Sequence, residues 1–228
     1  MIYDDQKSIN YMTKETQIPK IIHQIWVGEK EMPEHCKQFT QKMKDLHPDW
    51  EVKLWGNEVF TELYVDDPFL QNYIKDPELY KWAFISDRVR LLLLRDYGGI
   101  YCDVDAMPVR PFDIVLDALA PQHTFFSGLK PSQGNNTLYD CTVYGSAPAS
   151  RMILECLSVY DRINWAHGCK TFSDKIIQKI EPDVACFGYE WFYNWEINEK
   201  TIVLHDVLET RLFSWVPEED KAAGAISW

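Results

Sequence analysis

The sequence feature that most constrains the fold is the pattern of residues 19–55, which is typical of a strand, a helix and a second strand. Residues 19–28, PKIIHQIWVG, are a short β-branched and aromatic stretch ending at a glycine, which is typical of a buried strand. Residues 32–50 place apolar side chains 3, 4 and 3 positions apart, as one face of a helix that ends before Pro48. Residues 50–55, WEVKLW, alternate as a second strand. Together they predict a βαβ unit with a right-handed crossover.

A long helix is predicted from residue 76 to about Tyr97. Residues 76–78, DPE, supply an N-cap, a proline at the first helical position and an acid in the first turn. Gly98 or Gly99 supplies the C-terminal cap. Because apolar side chains cover most of its circumference, we expect this helix to lie in the core. Its main apolar face consists of Trp82, Ile85, Val89, Leu92 and Leu93, and Leu91 and Leu94 widen it.

The rest of the chain alternates strands with helices. Residues 100–105, IYCDVD, are predicted to form a strand, and residues 107–113, MPVRPFD, a loop, because their two prolines are unsuited to a central strand. Further strands are expected at residues 123–129, 141–147 and 201–208, helices at about 149–163 and 174–180, and short helical pieces at 57–76. The fold class is therefore α/β: one Rossmann-like domain whose mostly parallel central sheet is flanked by helices.

The composition is that of one globular domain. A chain of 228 residues with 46% hydrophobic side chains can fill a core, and its net charge of -12 disfavours nucleic acid as a partner. Residues 1–17 are polar and predicted to be a leader, and the domain covers residues 18–228. We expect a cytoplasmic protein, at most peripheral at the inner face of a membrane, because neither a signal peptide nor a long apolar run occurs. Six scattered cysteines without a C-x-x-C pair are expected to be free, buried thiols in a reducing compartment.

Asp103 and Asp105 stand one residue apart at the end of the predicted strand. Side chains at positions i and i+2 of a strand point to the same side, about 6.6 Å apart along the chain, so the two carboxylates repel each other. The carboxyl end of a strand is where open α/β sheets bind ligands, and a divalent cation with oxygen ligands would relieve this repulsion. Mg²⁺ or Mn²⁺ would also leave positions for phosphate oxygens. A solvated acidic turn is the alternative.

Asp87 and Arg90 lie three residues apart on the helix that precedes these acids. One interpretation is a local ion pair between these two side chains. A pair at this spacing stabilises a helix by about a few tenths of a kcal/mol. The helix leads through Gly98 and Gly99 directly into the strand with the two acids, so the pair is also expected beside the same pocket. A buried helix contains few charged residues without a partner or a ligand.

Residues 86–109, SDRVRLLLLRDYGGIYCDVDAMPV, together with residues 19–28, resemble a known family. They are similar to the DXD-containing sugar transferases, which include capsular-polysaccharide and yeast mannosyl-type glycosyltransferases, and to the catalytic domain of the clostridial glucosylating toxins. The resemblance covers residues 18–113 well and the remainder loosely. It implies a GT-A fold and a nucleotide-diphosphate sugar donor. It also implies a donor-binding and metal-binding half at 18–113 and an acceptor-side half at 114–228 with a C-terminal lid.

The resemblance implies donor-binding roles for particular residues. Trp26 would stack on the nucleotide base, and Tyr101 would lie near the diphosphate or the sugar; ordinary packing is the alternative for both side chains. Asp87 and Arg90 would hydrogen-bond hydroxyl groups of the donor sugar. The loop at residues 135–136, Asn-Asn, would touch donor or acceptor, or form a plain turn.

The resemblance also implies a metal site. Asp105 would ligate Mn²⁺ or Mg²⁺ directly, and Asp103 would hold the ribose and a metal-bound water. His205 corresponds to a late histidine of the family near the metal and the phosphate. Ser227 would belong to the metal site, and Ser227 and Trp228 would close over the donor as a lid, although the family's C-terminal block is not intact in this sequence.

The function implied is metal-dependent transfer of a hexose, preferably from a UDP-sugar, to a saccharide or lipid-linked acceptor. We also expect the transfer to retain the anomeric configuration and to serve surface polysaccharide assembly. The alternatives are a non-catalytic nucleotide-sugar-binding protein, toxin-like glycosylation of a protein, and a phosphohydrolase. A haloacid-dehalogenase-type phosphatase is disfavoured because Met107 stands where that pattern has threonine or valine. A glycosidase is disfavoured because its two carboxylates flank the scissile bond.

Overall fold

The computed structural model describes residues 17–75, 82–130, 138–159, 183–192 and 197–204. Its strands are β1 (Ile21–Ile25), β2 (Glu51–Trp55), β3 (Gly99–Cys102), β4 (Met107–Pro108), β5 (Phe125–Lys130), β6 (Leu138–Ser146), β7 (Val184–Phe187) and β8 (Val203–Leu204). Its helices are α1 (Glu34–Leu46), α2 (Pro68–Lys75), α3 (Trp82–Tyr97), α4 (Asp113–Ala118), α5 (Arg151–Val159) and α6 (Tyr189–Phe192). A π-helical turn covers Val59–Leu63.

The predicted βαβ unit is confirmed, and it determines where a ligand crevice opens. β1 pairs in parallel with β2, from Ile21 opposite Glu51 to Ile25 opposite Trp55, and α1 connects the two strands. The chain then crosses to the other side of β1, where β3 also pairs in parallel. The strand order therefore reverses between β1 and β3. Ligands of open α/β sheets bind at the carboxyl ends of the two strands at such a point.

Within the described ranges, six strands form one sheet in the order β2-β1-β3-β6-β5-β7. The ladders β1–β2, β1–β3 and β5–β7 are parallel, whereas β6 runs antiparallel to both β3 and β5. The mostly parallel sheet is thus confirmed. The antiparallel direction of β6 was not predicted, because the hydrophobic pattern of a strand does not show which way it runs.

Alternating side chains on β3 divide the core into two layers. Tyr101 packs into a cluster with α3 and α5, whereas Ile100 and Cys102 pack into a second cluster with Met43 of α1 and Phe112 beside α4. Helices therefore cover both faces of the sheet, as the predicted α/β class requires.

The buried character of α3 is confirmed. Ile85, Val89, Leu93 and Leu94 are inaccessible to solvent. The helix ends as predicted at Gly98, whose N–H donates to the Leu94 carbonyl at 3.0 Å and whose φ of +64° is the left-handed cap conformation. A helix embedded in this way is a rigid support for the charged residues that it presents.

Two predictions beside the acidic pair are wrong. β3 ends at Cys102, so Asp103 and Asp105 lie in a turn and not in a strand; this turn is closed by the Ala106 N–H, which donates to the Asp103 carbonyl at 3.2 Å. Met107–Pro108, expected in a loop, form β4, which pairs antiparallel with β8. Proline is tolerated there because each strand of a two-stranded sheet is an edge strand.

Other predictions concern residues outside the described ranges. These are the leader up to residue 16, the start of the long helix at 76–78, the helix at 174–180 and the part of the last strand beyond Leu204. The helix predicted at 149–163 begins at Arg151 and is described as far as Val159.

The described ranges lack a membrane-spanning helix and contain four free thiols. Within the described ranges, no helix is long and apolar enough to cross a membrane. Cys36, Cys102 and Cys156 are buried thiols, as expected, whereas Cys186, which was also expected to be buried, is exposed. These four cysteines form no disulfide in the part of the chain that the structure describes.

Candidate functional site

Arg90 lies at the centre of a buried charge cluster at the carboxyl end of β3. Its Nη2 donates to Asp87 Oδ1, one turn earlier on α3, and its Nη1 lies 3.8 Å from Asp103 Oδ1. Its Nε donates to the Ser86 carbonyl at 3.4 Å. The three charged side chains are at most 7% exposed. The pair predicted on the helix is therefore present, and it is joined to the first acid of the turn.

Tyr101 holds the same carboxylate from another side. Its hydroxyl donates to Asp103 Oδ1 at 2.5 Å, and the Arg90 guanidinium carbon lies 4.5 Å from its ring centroid. The ring of Tyr144 on β6 packs against it with centroids 5.7 Å apart. The Asp103 carboxylate therefore interacts with a neutral hydrogen-bond donor and with a cation, and packing fixes both of these side chains.

Arg90 stays protonated and Tyr101 stays neutral over the ordinary pH range, because both pKa values are raised well above their usual values. Burial lowers the pKa of Arg90, but the negative charges of Asp87 and Asp103 outweigh it, and the net result is a pKa well above the usual value. Burial raises the pKa of Tyr101 well above its ordinary value, which Arg90 opposes only in part. Asp87 and Asp103 are two carboxyl groups beside one guanidinium, and Asp105 follows Asp103 by two residues, so the excess of acidic groups favours a cation.

The acidic turn separates two kinds of surface. Asp103 faces Arg90, whereas Val104 packs with Met32 and Cys36, and the half-buried ring of Trp26 lies against this apolar cluster. Asp105, the next residue, is partly exposed. Trp26, predicted to stack on the base, therefore lies beside the turn that contains Asp103 and Asp105, the acids predicted to bind the metal.

The loop that contains Trp26 is firmly attached. The indole N–H of Trp26 donates to the Lys30 carbonyl at 2.9 Å. The side-chain amide of Asn57 accepts from the Gly28 N–H at 2.8 Å and donates to the Gly28 carbonyl at 3.2 Å. Gly28 has φ +113°, and a Cβ there would lie 2.8 Å from the Trp82 ring, so only glycine fits. The sequence did not indicate the role of Asn57, because no local pattern connects it with Gly28.

The donor chemistry of the turn fits a hard divalent cation. The carboxylate oxygens of Asp103 and Asp105 are ligands that Mg²⁺ and Mn²⁺ prefer. No group of three or more His, Cys, Asp or Glu residues suited to a metal occurs in the described ranges. β8 pairs with β4 so that Leu204 lies opposite Met107, two residues after Asp105. The predicted site residues outside the described ranges are His205, Ser227, Trp228, Asn135 and Asn136.

The comparison with protein families agrees with this site. Residues 33–126 match a family described as the glycosyltransferase sugar-binding region containing a DXD motif. The chain contains a DXD glycosyltransferase region. This glycosyltransferase region includes Asp87, Arg90, Tyr101, Asp103 and Asp105, and the resemblance inferred from the sequence is confirmed.

Curated relatives are similar over the same part of the chain. A mannosyl phosphorylinositol ceramide synthase of Saccharomyces cerevisiae is 39% identical over 102 residues, which are 43% of this chain and 25% of that protein. Inositol phosphoceramide mannosyltransferase 3 of Schizosaccharomyces pombe is 39% identical over 108 residues, which are 46% of this chain and 29% of that protein. The chain therefore spans less than a third of the length of these relatives.

A solved structure supports the fold. The PaToxG glycosyltransferase superposes with a TM-score of 0.57 at 20% identity, and the match covers 72% of this chain and 70% of that chain. At this level of identity the likeness concerns the fold, and the expected GT-A fold of the glycosyltransferase region is confirmed.

Proposed function

We propose that this protein transfers a hexosyl group from a nucleoside-diphosphate sugar to a hydroxyl group of a lipid-linked or saccharide acceptor, with the help of a divalent cation. The observation that supports this most strongly is the buried Arg90, which connects Asp87 on α3 with Asp103 of the acidic turn. A solvated acidic turn would have no need of a buried guanidinium beneath it.

Asp103 and Asp105 are the residues that would hold Mn²⁺ or Mg²⁺. The cation supplies Lewis-acid stabilisation of the negative charge that develops on the leaving nucleoside diphosphate. His205 and Ser227 belong to the same proposal as further ligands. The pairing of Leu204 with Met107 supports His205, because Leu204 precedes it in the sequence and lies opposite a residue only two positions after Asp105.

The donor would be held by residues on both sides of the turn. Asp87 and Arg90 would hydrogen-bond the sugar hydroxyls, and Arg90 keeps the two carboxylates oriented. Asp103 would accept from the ribose, and its orientation depends on the Tyr101 hydroxyl. Trp26 would stack on the base, and Trp228 would close over the donor. Such fixed positions lower the entropic cost of bringing donor and acceptor together.

The names of the curated relatives guide the choice of sugar and acceptor. One is named a mannosyl phosphorylinositol ceramide synthase and the other an inositol phosphoceramide mannosyltransferase, which supports mannose as the hexose and a polar lipid headgroup as the acceptor. The UDP-sugar donor, retention of configuration and surface polysaccharide assembly remain predictions. A peripheral position at the inner face of a membrane belongs to this proposal, because a lipid acceptor lies at a membrane surface.

The test is a donor panel with and without metal. We would incubate the protein with UDP-glucose, UDP-galactose, UDP-N-acetylglucosamine or GDP-mannose and Mn²⁺, with inositol phosphoceramide in detergent micelles as acceptor. We expect glycolipid formation with one donor, loss of turnover in EDTA and recovery on addition of Mn²⁺. NMR of the product would show its anomeric configuration, and sedimentation with liposomes would test membrane contact.

The same assay separates the alternatives. Donor binding without turnover would indicate a non-catalytic nucleotide-sugar-binding protein, and transfer to protein instead of lipid would indicate toxin-like glycosylation. Release of phosphate from phosphomonoesters without sugar transfer would indicate a phosphohydrolase and would contradict the proposal.

A further inference from the structure

Gln24 lies on β1 with its side chain completely buried. Its exposed fraction is 0%, and neither its amide oxygen nor its amide nitrogen has a hydrogen-bond partner among the residues that the structure describes. Buried polar groups in native proteins are nearly always paired, because an unsatisfied donor or acceptor lowers the free energy of unfolding. An unsatisfied amide in the central sheet therefore requires an explanation.

The position of Gln24 in the sheet is close to the acidic turn. The pairing of Ile22 with Ile100 puts Gln24 level with Cys102, the last residue of β3. Because side chains alternate along a strand, Gln24 points to the same side of the sheet as Ile22. Val104, in the turn after Cys102, also packs on that side. The amide thus lies at the carboxyl ends of β1 and β3, where the strand order reverses and ligands bind.

The neighbouring residue shows how a polar side chain on β1 is normally satisfied. His23 donates from Nε2 to the Gly98 carbonyl at 2.8 Å and accepts at Nδ1 from the Trp55 indole N–H at 3.1 Å. Gln24 has no comparable pair within the described ranges, and its opposite neighbour on β2 is Leu54. Methionine would fill the same space without an unsatisfied amide. Folding alone therefore does not account for glutamine at this position.

We infer that Gln24 is a positioning residue whose amide hydrogen-bonds the backbone of the Asp103–Ala106 turn when the donor is bound. The inference rests on the proposed function, in which this turn holds the cation and the diphosphate. This turn begins directly after Cys102, the residue with which Gln24 is level on the neighbouring strand. A hydrogen bond made only in the bound state adds to the affinity for the donor, because ligands shift an equilibrium by their differential interaction with its two states.

The test compares stability with binding in Gln24→Met. We expect the melting temperature to rise by about 3–6 °C, because an unsatisfied buried amide is removed. We expect the dissociation constants for UDP or GDP in the presence of Mn²⁺, measured by calorimetry, to rise by about 5- to 10-fold for the nucleotide that binds. The opposite directions of the two changes identify a group that lowers stability and serves binding.

Thr40→Val is the matched control. The Thr40 hydroxyl is also buried without a hydrogen-bond partner among the described residues, but it lies in the middle of α1 and not on the strand that leads to the turn. Its removal should raise the melting temperature without changing nucleotide binding.

Two outcomes would contradict the inference about Gln24. A lower melting temperature of Gln24→Met would mean that the amide stabilises the fold, and unchanged nucleotide binding would mean that it has no role at the turn. Wild-type protein that binds neither Mn²⁺ with UDP nor Mn²⁺ with GDP would instead contradict the proposed function, and this inference with it.

Discussion

Asp103 is held by two partners of different character, and they can be separated experimentally. Tyr101→Phe removes the hydroxyl that donates to Asp103 and keeps the ring beneath Arg90. We expect turnover of the donor to fall about 10- to 100-fold, as for the loss of a residue that orients a metal ligand, and the melting temperature to fall by a few degrees because a buried carboxylate loses a hydrogen-bond donor. Steady-state release of nucleoside diphosphate measures this. Tyr189→Phe, on an exposed tyrosine, is the control, and full activity of Tyr101→Phe would show that its hydroxyl is dispensable.

Arg90 differs from an ordinary surface arginine because both of its acidic partners are buried with it. Arg90→Ala would leave Asp87 and Asp103 without their cation and is expected to destabilise the protein by about 3–5 kcal/mol. Arg90→Lys keeps the charge but loses the planar fork, so it tests function more cleanly. We expect loss of donor turnover while calorimetry shows nucleotide binding near the wild-type level. Equal loss of turnover and of nucleotide binding would place Arg90 at the phosphates instead of the sugar.

At the scale of elements, Asn57 connects the loops that follow β1 and β2. Asn57→Ala removes both hydrogen bonds to Gly28 and should loosen the loop that contains Trp26. Each exposed hydrogen bond contributes about 1 kcal/mol, so we expect KM for the donor to rise about 3- to 10-fold with little change in kcat. Asn72→Ala, at an exposed position on α2, is the control. A change in kcat without a change in KM would contradict the positioning of Trp26 by Asn57.

The elements that local patterns describe were predicted well. The apolar face of α3, its cap at Gly98 and the spacing of Asp87 and Arg90 depend on residues close in sequence, and the structure confirms them. The end of β3 was predicted wrongly because it depends on β6, whose last pair with β3 is Val143 opposite Cys102. Hydrophobic alternation continues through the following turn and does not reveal where pairing stops.

Contacts between distant segments account for the rest of the site that the sequence did not predict. β4 forms only because Val203–Leu204 return to it, and Asn57 reaches Gly28 across 29 positions. The bridge from Arg90 to Asp103 likewise needs the turn, which sequence spacing did not show. The family motif was enough to identify the residues of the site. Which of them contact one another depends on segments that are distant in sequence.

At the scale of the whole molecule, His23 couples stability to pH. It is completely buried between β2 and the turn at Gly98, and burial lowers its pKa from 6.5 to about 4, against a smaller opposing effect of the Gly98 carbonyl. Because the unfolded state binds a proton at higher pH than the folded state, the free energy of unfolding falls as pH decreases from about 6.5 to about 4. His23 accounts for up to about 3 kcal/mol of this loss. Burial also lowers the pKa of His47, which adds a loss of the same sign.

Urea denaturation at pH 7, 5.5 and 4 measures this dependence. His23→Gln, which keeps a donor and an acceptor without a titrating group, should lose less free energy of unfolding between pH 7 and pH 4 than the wild type. An equal loss in the two proteins would mean that His23 is not the group responsible.

The central claim is that the turn from Asp103 to Asp105 holds a cation and the diphosphate of a sugar donor. The most direct measurement is Mn²⁺-dependent turnover of the preferred nucleotide sugar by wild type and by Asp105→Asn, with Asp117→Asn, an exposed acid on α4, as control. We predict that Asp105→Asn loses at least about 100-fold in turnover with an unchanged melting temperature, while Asp117→Asn behaves as wild type. Normal Mn²⁺-dependent turnover by Asp105→Asn would contradict the claim.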